Sequence, residues 1–143
     1  MIKGKKRRKP LDTRLQPLQR FDPQGEPLAE IRAYIRRKLA MARLLPRESR
    51  LFANEMLQGA PVIGDVLQGP LRALVDQKAA VLRAWMNDGR LAQVDPHHLI
   101  FSIWATTQHY ADFDVQVTAV LGRDDEARFA DAERFLLDLF TRG

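Results

Sequence analysis

The sequence predicts an all-α protein, and three observations carry that expectation. Apolar residues recur at spacings of three and four, as in Leu28, Ile31, Ile35 and Leu39, which places them on one face of a helix. Prolines and glycines punctuate these stretches at their ends: Pro27 and Pro96 sit where a first helical turn needs no N–H, and Gly59, Gly89 and Gly122 sit where helices close. The β-branched clusters are short and lie inside helical patterns, so no strand is expected.

The elements follow in order. Residues 1–10 read as a disordered basic leader and 11–143 as one helical domain. A short helix over 11–21 is interrupted or kinked by Pro17, and Asp22-Pro23-Gln24-Gly25 forms a turn. The next helix starts near Glu26-Pro27, buries Leu28, Ile31, Ile35, Leu39 and Ala42, and ends before Pro46. Another runs from about Arg47 to Gln58, with Leu51, Phe52 and Met56 as candidates for burial and Glu55 beside them. A short helix follows Pro61 and is broken at Gly69-Pro70. Pro70 then opens a long helix with Leu71, Leu74, Val75, Leu82, Trp85 and Met86 on its apolar stripe, closed by Asp88-Gly89. Lys78 falls on that stripe; it is either a snorkelling stem or an anion or carbonyl partner for a ligand. Asp95 caps a helix that begins at Pro96 and reaches about Phe113. A loose helix or loop over 114–124 leads to a last helix, from Asp124 or Asp125 to Thr141, with Phe129, Ala132, Leu136, Leu139 and Phe140 on one side and Phe135 beside them.

A length of 143 residues fits one domain, and 45% hydrophobic with 29% charged residues is enough to bury a core. The absence of cysteine excludes disulfides and thiolate metal sites and fits a cytoplasmic location. No apolar run has the length of a membrane span, and no apolar stretch follows the basic N-terminus as a secretory signal would require. The net charge of +5 is misleading. Six basic residues crowd the first ten positions, leaving 17 basic against 18 acidic residues in the rest. The leader is a solvated tail or a source of weak, salt-sensitive attraction to nucleic acid; it supplies no reading of base sequence.

Enzyme chemistry finds no support. His97 and His98 are adjacent and diverge by about 100° on a helix, His109 is three turns away, and no carboxylate completes a metal-ligand spacing. His109 and Asp112 read as a local surface or interface pair. Ser49 and Ser102 lack a nucleophile context, and Asp124, Asp125 and Glu126 are explained by a helix start. No glycine-rich phosphate loop is present, so neither cofactor nor metal is expected.

The stretch 99–113 is the most informative. It is apolar on nearly every side at first, which predicts a helix buried on both sides. It then carries Trp104 and Gln108 one turn apart on the same face, with Thr106, Thr107 and His109 close by. Buried polar groups need partners. An indole donor and a carboxamide with both donor and acceptor complement a ring bearing adjacent C=O and N–H groups. Phe52, Phe101 or Tyr34 would wall such a ring. The plainer alternative places Trp104 in the core and Gln108 against a neighbouring helix.

These residues also carry a resemblance. Ser49-Arg50-Leu51-Phe52, Glu55-Met56-Leu57, Gly59-Ala60-Pro61, Asp95-Pro96, His98 to Phe101, and Ile103-Trp104-Ala105 with Thr107 to Phe113 are similar to the pyrimidine-utilisation group of TetR-type regulators, Thr106 standing where a serine is expected. The similarity covers about residues 11–143 and concerns the family's C-terminal ligand-binding and dimerisation domain. It implies that Trp104 and Gln108 contact a uracil-like effector and that the helices at 96–113 and 125–141 build a homodimer's four-helix bundle. Phe52, Phe101, Thr107 and Lys78 complete the expected ligand set. Phe129, Phe135, Leu136, Leu139, Phe140 and His109 make up the expected dimer interface. The family's N-terminal helix-turn-helix domain has no counterpart here, so DNA is expected as a partner only through a missing domain or weakly through the leader. The alternative is a headless dimerisation module with a degenerate pocket.

Overall fold

The computed structural model describes residues 17–142. The leader expected over 1–10 and residues 11–16 of the first short helix lie outside the described residues. Residues 17–19 are helical and the chain turns at Arg20. Asp22 then organises the expected turn: its carboxylate accepts from the Gln24 amide at 2.9 Å and its carbonyl from the Gly25 amide at 3.1 Å. Gly25 is needed for close approach. A Cβ there would lie 2.6 Å from Cγ of Glu30, whose carboxylate holds the Asp22 amide at 2.7 Å.

Helix α1 spans Pro27–Leu44, with Pro27 in its first turn and the Glu26 carboxylate accepting from the Leu28 and Ala29 amides. Ile31, Ile35, Leu39 and Ala42 are buried as the periodicity requires, Leu28 is half-buried, and Tyr34 and Lys38 join the buried face. Helix α2 spans Pro46–Leu57 and departs from expectation. Leu51 is exposed, Phe52, Met56 and Glu55 are half-buried, and Ser49 is the buried residue. Polar contacts set its docking: the Ser49 hydroxyl donates to Asp112 at 2.5 Å, and Arg50 donates to the Ala111 carbonyl at 3.2 Å. That choice of face turns Leu51 outward. Glu55 is drawn in because it accepts from the Val62 and Ile63 amides at 2.6 and 3.1 Å.

Gly69-Pro70 does not break the chain as expected. Helix α3 (Gly64–Val66) passes through a π-helical turn at Leu67–Leu71 straight into α4, Arg72–Asn87. Proline has no N–H and crowds the carbonyl four residues before it. The wider turn relieves this, and the Arg72 amide reaches back to the Leu67 carbonyl. Helix α4 closes where predicted. Gly89 is left-handed at φ +74, and the Gly89 and Arg90 amides donate to the carbonyls of Met86 and Trp85 at 3.0 and 2.9 Å.

Helix α5 (Pro96–Asp112) starts at the predicted cap, with the Asp95 carboxylate accepting from the His98 amide at 3.1 Å. That bond holds the Asp95 carboxyl below its ordinary range. A depressed carboxyl pKa stabilises the fold above its unfolded value, and the contribution is lost as pH falls through the folded value. Asp95→Ala is therefore expected to lower the melting temperature at neutral pH, with the gap to the wild type closing in acid. Thermal melts across the carboxylate range check this; a gap that does not change with pH would show that the cap contributes nothing.

Helix α6 (Asp114–Leu121) buries no residue, and α7 (Asp125–Thr141) is capped by Asp124. α1 packs most extensively on α5 and α7, while α5 also touches α2 and α4. The core gathers Ile35, Leu82, Trp85, Met86, Ile100, Ile103 and Leu136. Phe21 is drawn into it, its ring centroid 5.3 Å from Trp85 and 6.1 Å from Tyr34. Helix α5 is not buried on both sides. Ile100, Ile103, Thr107 and Ala111 face inward, but Phe101, Ser102, Ala105 and His109 are exposed because no other described element of this chain covers them. Among the described residues there is no strand, and no helix is long and apolar enough to cross a membrane.

Candidate functional site

The inward side of α5 meets α1 through a polar contact. Trp104 is half-buried, and its indole Nε1–H donates to the Tyr34 hydroxyl at 2.6 Å. Tyr34 is only 2% exposed. Burial pushes its phenol well above the usual tyrosine range, while the Trp104 hydrogen bond works the other way. Among the described residues nothing accepts the Tyr34 proton. One turn along from Trp104, Gln108 is half-buried, and its carboxamide has no hydrogen bond to any described residue.

Trp104 and Phe101, with ring centroids 5.6 Å apart, line a largely apolar cavity of about 390 Å³. The π-turn and α4 supply Leu71 and Val75, and the Asp76–His97 pair at 2.9 Å stands at its edge. Gln108, Phe52, Thr107 and Lys78 do not line this cavity. Thr107 is buried and turns its hydroxyl back to the Ile103 carbonyl at 2.7 Å, a bond within its own helix. Lys78 neither snorkels nor stands free. Its buried ammonium donates to the Phe21 carbonyl at 2.9 Å, which leaves two further N–H bonds. Phe52 lies half-buried on α2. The sequence reading thus finds Trp104, Phe101 and Gln108 on one helix, and the cavity gathers the first two of them. It missed the bond to Tyr34. The signal was present: Tyr34 follows Ile31 by three residues on the α1 stripe, and a buried phenol needs a partner.

The expected pair of His109 and Asp112 does not form. Asp112 faces α2 and takes the Ser49 hydroxyl, while His109 points outward and stacks on Phe113 at 5.0 Å with planes 17° apart. Of the residues expected at a dimer face, Phe135 and Leu139 are 61% and 46% exposed, and Phe129 and Phe140 are half-buried. Leu136 is 1% exposed: it belongs to the core, on the helix that packs against α1 within its own chain. Among the described residues no group of His, Cys, Asp or Glu side chains has the makings of a metal site.

Residues 8–143 match the sequence profile of the TetR-type family described as YcdC-like protein, C-terminal region. The chain belongs to this family. The HTH-type transcriptional regulator RutR of Escherichia coli K12 is 54% identical over 112 residues, which is 78% of this chain and 53% of that protein. The regulators of the same name from Shigella flexneri and Escherichia coli O157:H7 match to the same extent. The chain spans about half the length of the curated relatives it matches. As a TetR-type C-terminal domain it is all-α, as its residues predict, and its relatives are by name transcriptional regulators.

Proposed function

We propose that this TetR-type domain is the effector-sensing and dimerising part of a transcriptional regulator, and that its effector is a small polar ring of the pyrimidine kind. The observation that carries the reading is Gln108, a half-buried carboxamide with no partner among the described residues, one turn from Trp104. A carboxamide offers acceptor and donors side by side, which matches adjacent N–H and C=O groups on a ring. The indole supplies an aromatic face for the same ring.

Helix α5 carries both halves of the device. Trp104 and Gln108 lie toward the interior, and Phe101, Ala105 and His109 form an exposed row beside them on the same helix. With Phe135 and Leu139 of α7, that row makes a self-complementary apolar face suited to a twofold dimer. A ligand that favours one seating of α5 shifts the dimer between two geometries. In a regulator whose dimer reads two operator half-sites, that shift alters the fit to DNA. A cytoplasmic place of action follows from this reading.

The mostly apolar lining of the cavity beside Trp104, from which Gln108 is set back, favours a second reading, a dimerisation module whose pocket has lost its ligand. One experiment separates the two. Uracil and thymine are expected to raise the melting temperature, because a ligand that binds only the folded state stabilises it. Gln108→Leu keeps the size and removes the hydrogen bonds, so it is expected to abolish the shift while the ligand-free protein melts as before. The loss in binding should be about 1–3 kcal/mol. The absence of any shift in the wild type would leave the dimerisation module as the better account.

A further inference from the structure

We infer that Tyr34, and not Trp104, presents the hydrogen-bond donor to the effector and selects for an acceptor, such as a ring carbonyl, at that point. The inference rests on the effector reading above and names the residue that confers specificity. Its basis is the direction of one hydrogen bond. An indole nitrogen donates and has no lone pair to accept with, so in the 2.6 Å contact Trp104 must be the donor and the Tyr34 oxygen the acceptor. The indole N–H is thereby spent. The single proton of Tyr34 must point elsewhere, and no described residue receives it.

A buried O–H without an acceptor is costly, and at 2% exposure bulk water does not reach Tyr34 freely. Burial also keeps the phenol protonated, so the group remains a donor over the whole physiological range. A bound molecule with an acceptor resolves the problem. The cations nearby are engaged with main-chain carbonyls. The Arg37 guanidinium, 5.9 Å from the Tyr34 ring, is held by the Pro17 carbonyl at 3.0 and 3.2 Å. The Lys78 ammonium is held by Phe21. Both groups are donors only, so neither takes the Tyr34 proton. A chain from the Trp104 N–H through the Tyr34 O–H to a ligand carbonyl would strengthen each bond by mutual polarisation, with Trp104 as the positioning residue that fixes the hydroxyl.

The test is calorimetric titration of the wild type and Tyr34→Phe with uracil, 2-thiouracil and 4-thiouracil, sulfur being the weaker acceptor. The wild type is expected to bind uracil and to lose about tenfold in affinity, 1.4 kcal/mol, when one particular oxygen becomes sulfur. Tyr34→Phe is expected to bind uracil about tenfold more weakly and to stop distinguishing it from that analogue. A merely structural Tyr34 would lower affinity for all three ligands and leave the discrimination intact, which would overturn the inference alone. Failure of the wild type to bind uracil would overturn the effector reading as well. The wild type offers a second readout that needs no variant. Uracil is expected to bring out a downfield, slowly exchanging Tyr34 hydroxyl proton in the NMR spectrum, and its absence from a uracil-bound sample would overturn the inference.

Discussion

Phe135→Asp is expected to leave the domain folded and to split the proposed dimer, whereas Leu136→Asp, one residue further on, is expected to unfold the protein. The two positions differ by about 100° around α7. Phe135 is 61% exposed and Leu136 is 1% exposed. Leu136 belongs to the buried core, on the helix that packs against α1. Truncating a buried leucine to alanine typically costs about 2–5 kcal/mol, and placing a carboxylate there adds the penalty of an unpaired buried charge. That sum is comparable with the whole stability of a domain this size. Phe135 makes no such contribution to the protomer, and Asp at an exposed helical position is tolerated. In the proposed dimer it would lie in the interface, where a desolvated charge and a lost aromatic anchor both oppose association. Sedimentation and circular dichroism of the two variants separate the outcomes. A Phe135→Asp protein that remains dimeric at tens of micromolar would place the interface elsewhere. A folded Leu136→Asp protein would contradict the packing of α7.

The helices were legible in the sequence because their ends carry local chemistry. Asp95-Pro96, Glu26-Pro27 and Asp88-Gly89 each fix a boundary through a bond or a dihedral angle that nearby residues determine. The elements misread were those decided by distant partners. Gly69-Pro70 is a local break signal, yet the chain continues through it by widening one turn. Leu51 looks like a core residue within its own helix, but Ser49 and Arg50 dock α2 against the end of α5 and turn it outward. The apolar circumference of α5 suggested burial on both sides. Packing among the described residues covers only half of it, and a sequence does not distinguish burial within a protomer from burial in an assembly.

The site was legible in part for the same reason. The one-turn spacing of Trp104 and Gln108 is a property of one helix and can be read from position alone. Which group the indole would meet is a tertiary fact. Tyr34 lies 70 residues away, and only the crossing of α1 and α5 brings its hydroxyl to the indole. Lys78 is the counterpart case. Its place on an apolar stripe marks it as unusual, but both readings drawn from sequence overlooked a main-chain carbonyl as the partner.

Lys78→Met is expected to destabilise the protein by about 1–3 kcal/mol, the range for a buried carbonyl deprived of a charged donor. Two effects oppose each other. Removing a buried ammonium saves its desolvation cost, which can make such replacements neutral. It also strips the Phe21 carbonyl of its donor and frees the segment that Phe21 anchors. The second effect is expected to win here, because the Lys78 bond joins α4 to a segment 57 residues distant in sequence. Phe21 enters the core from that segment together with Leu18, and its ring lies against Trp85 and Tyr34. Methionine keeps most of the stem, so the loss isolates the ammonium; Lys78→Ala adds a cavity and is expected to cost more. Denaturant melts give the size of the effect, and hydrogen exchange gives its place: residues 20–26 should lose protection before the helices do. If Lys78→Met melts like the wild type with unchanged exchange, the bond does not anchor the segment. A fall in uracil binding without any loss of stability would instead assign the Lys78 ammonium to the effector. In that event the bond to Phe21 would be the resting contact of a group that changes partners when the ligand arrives.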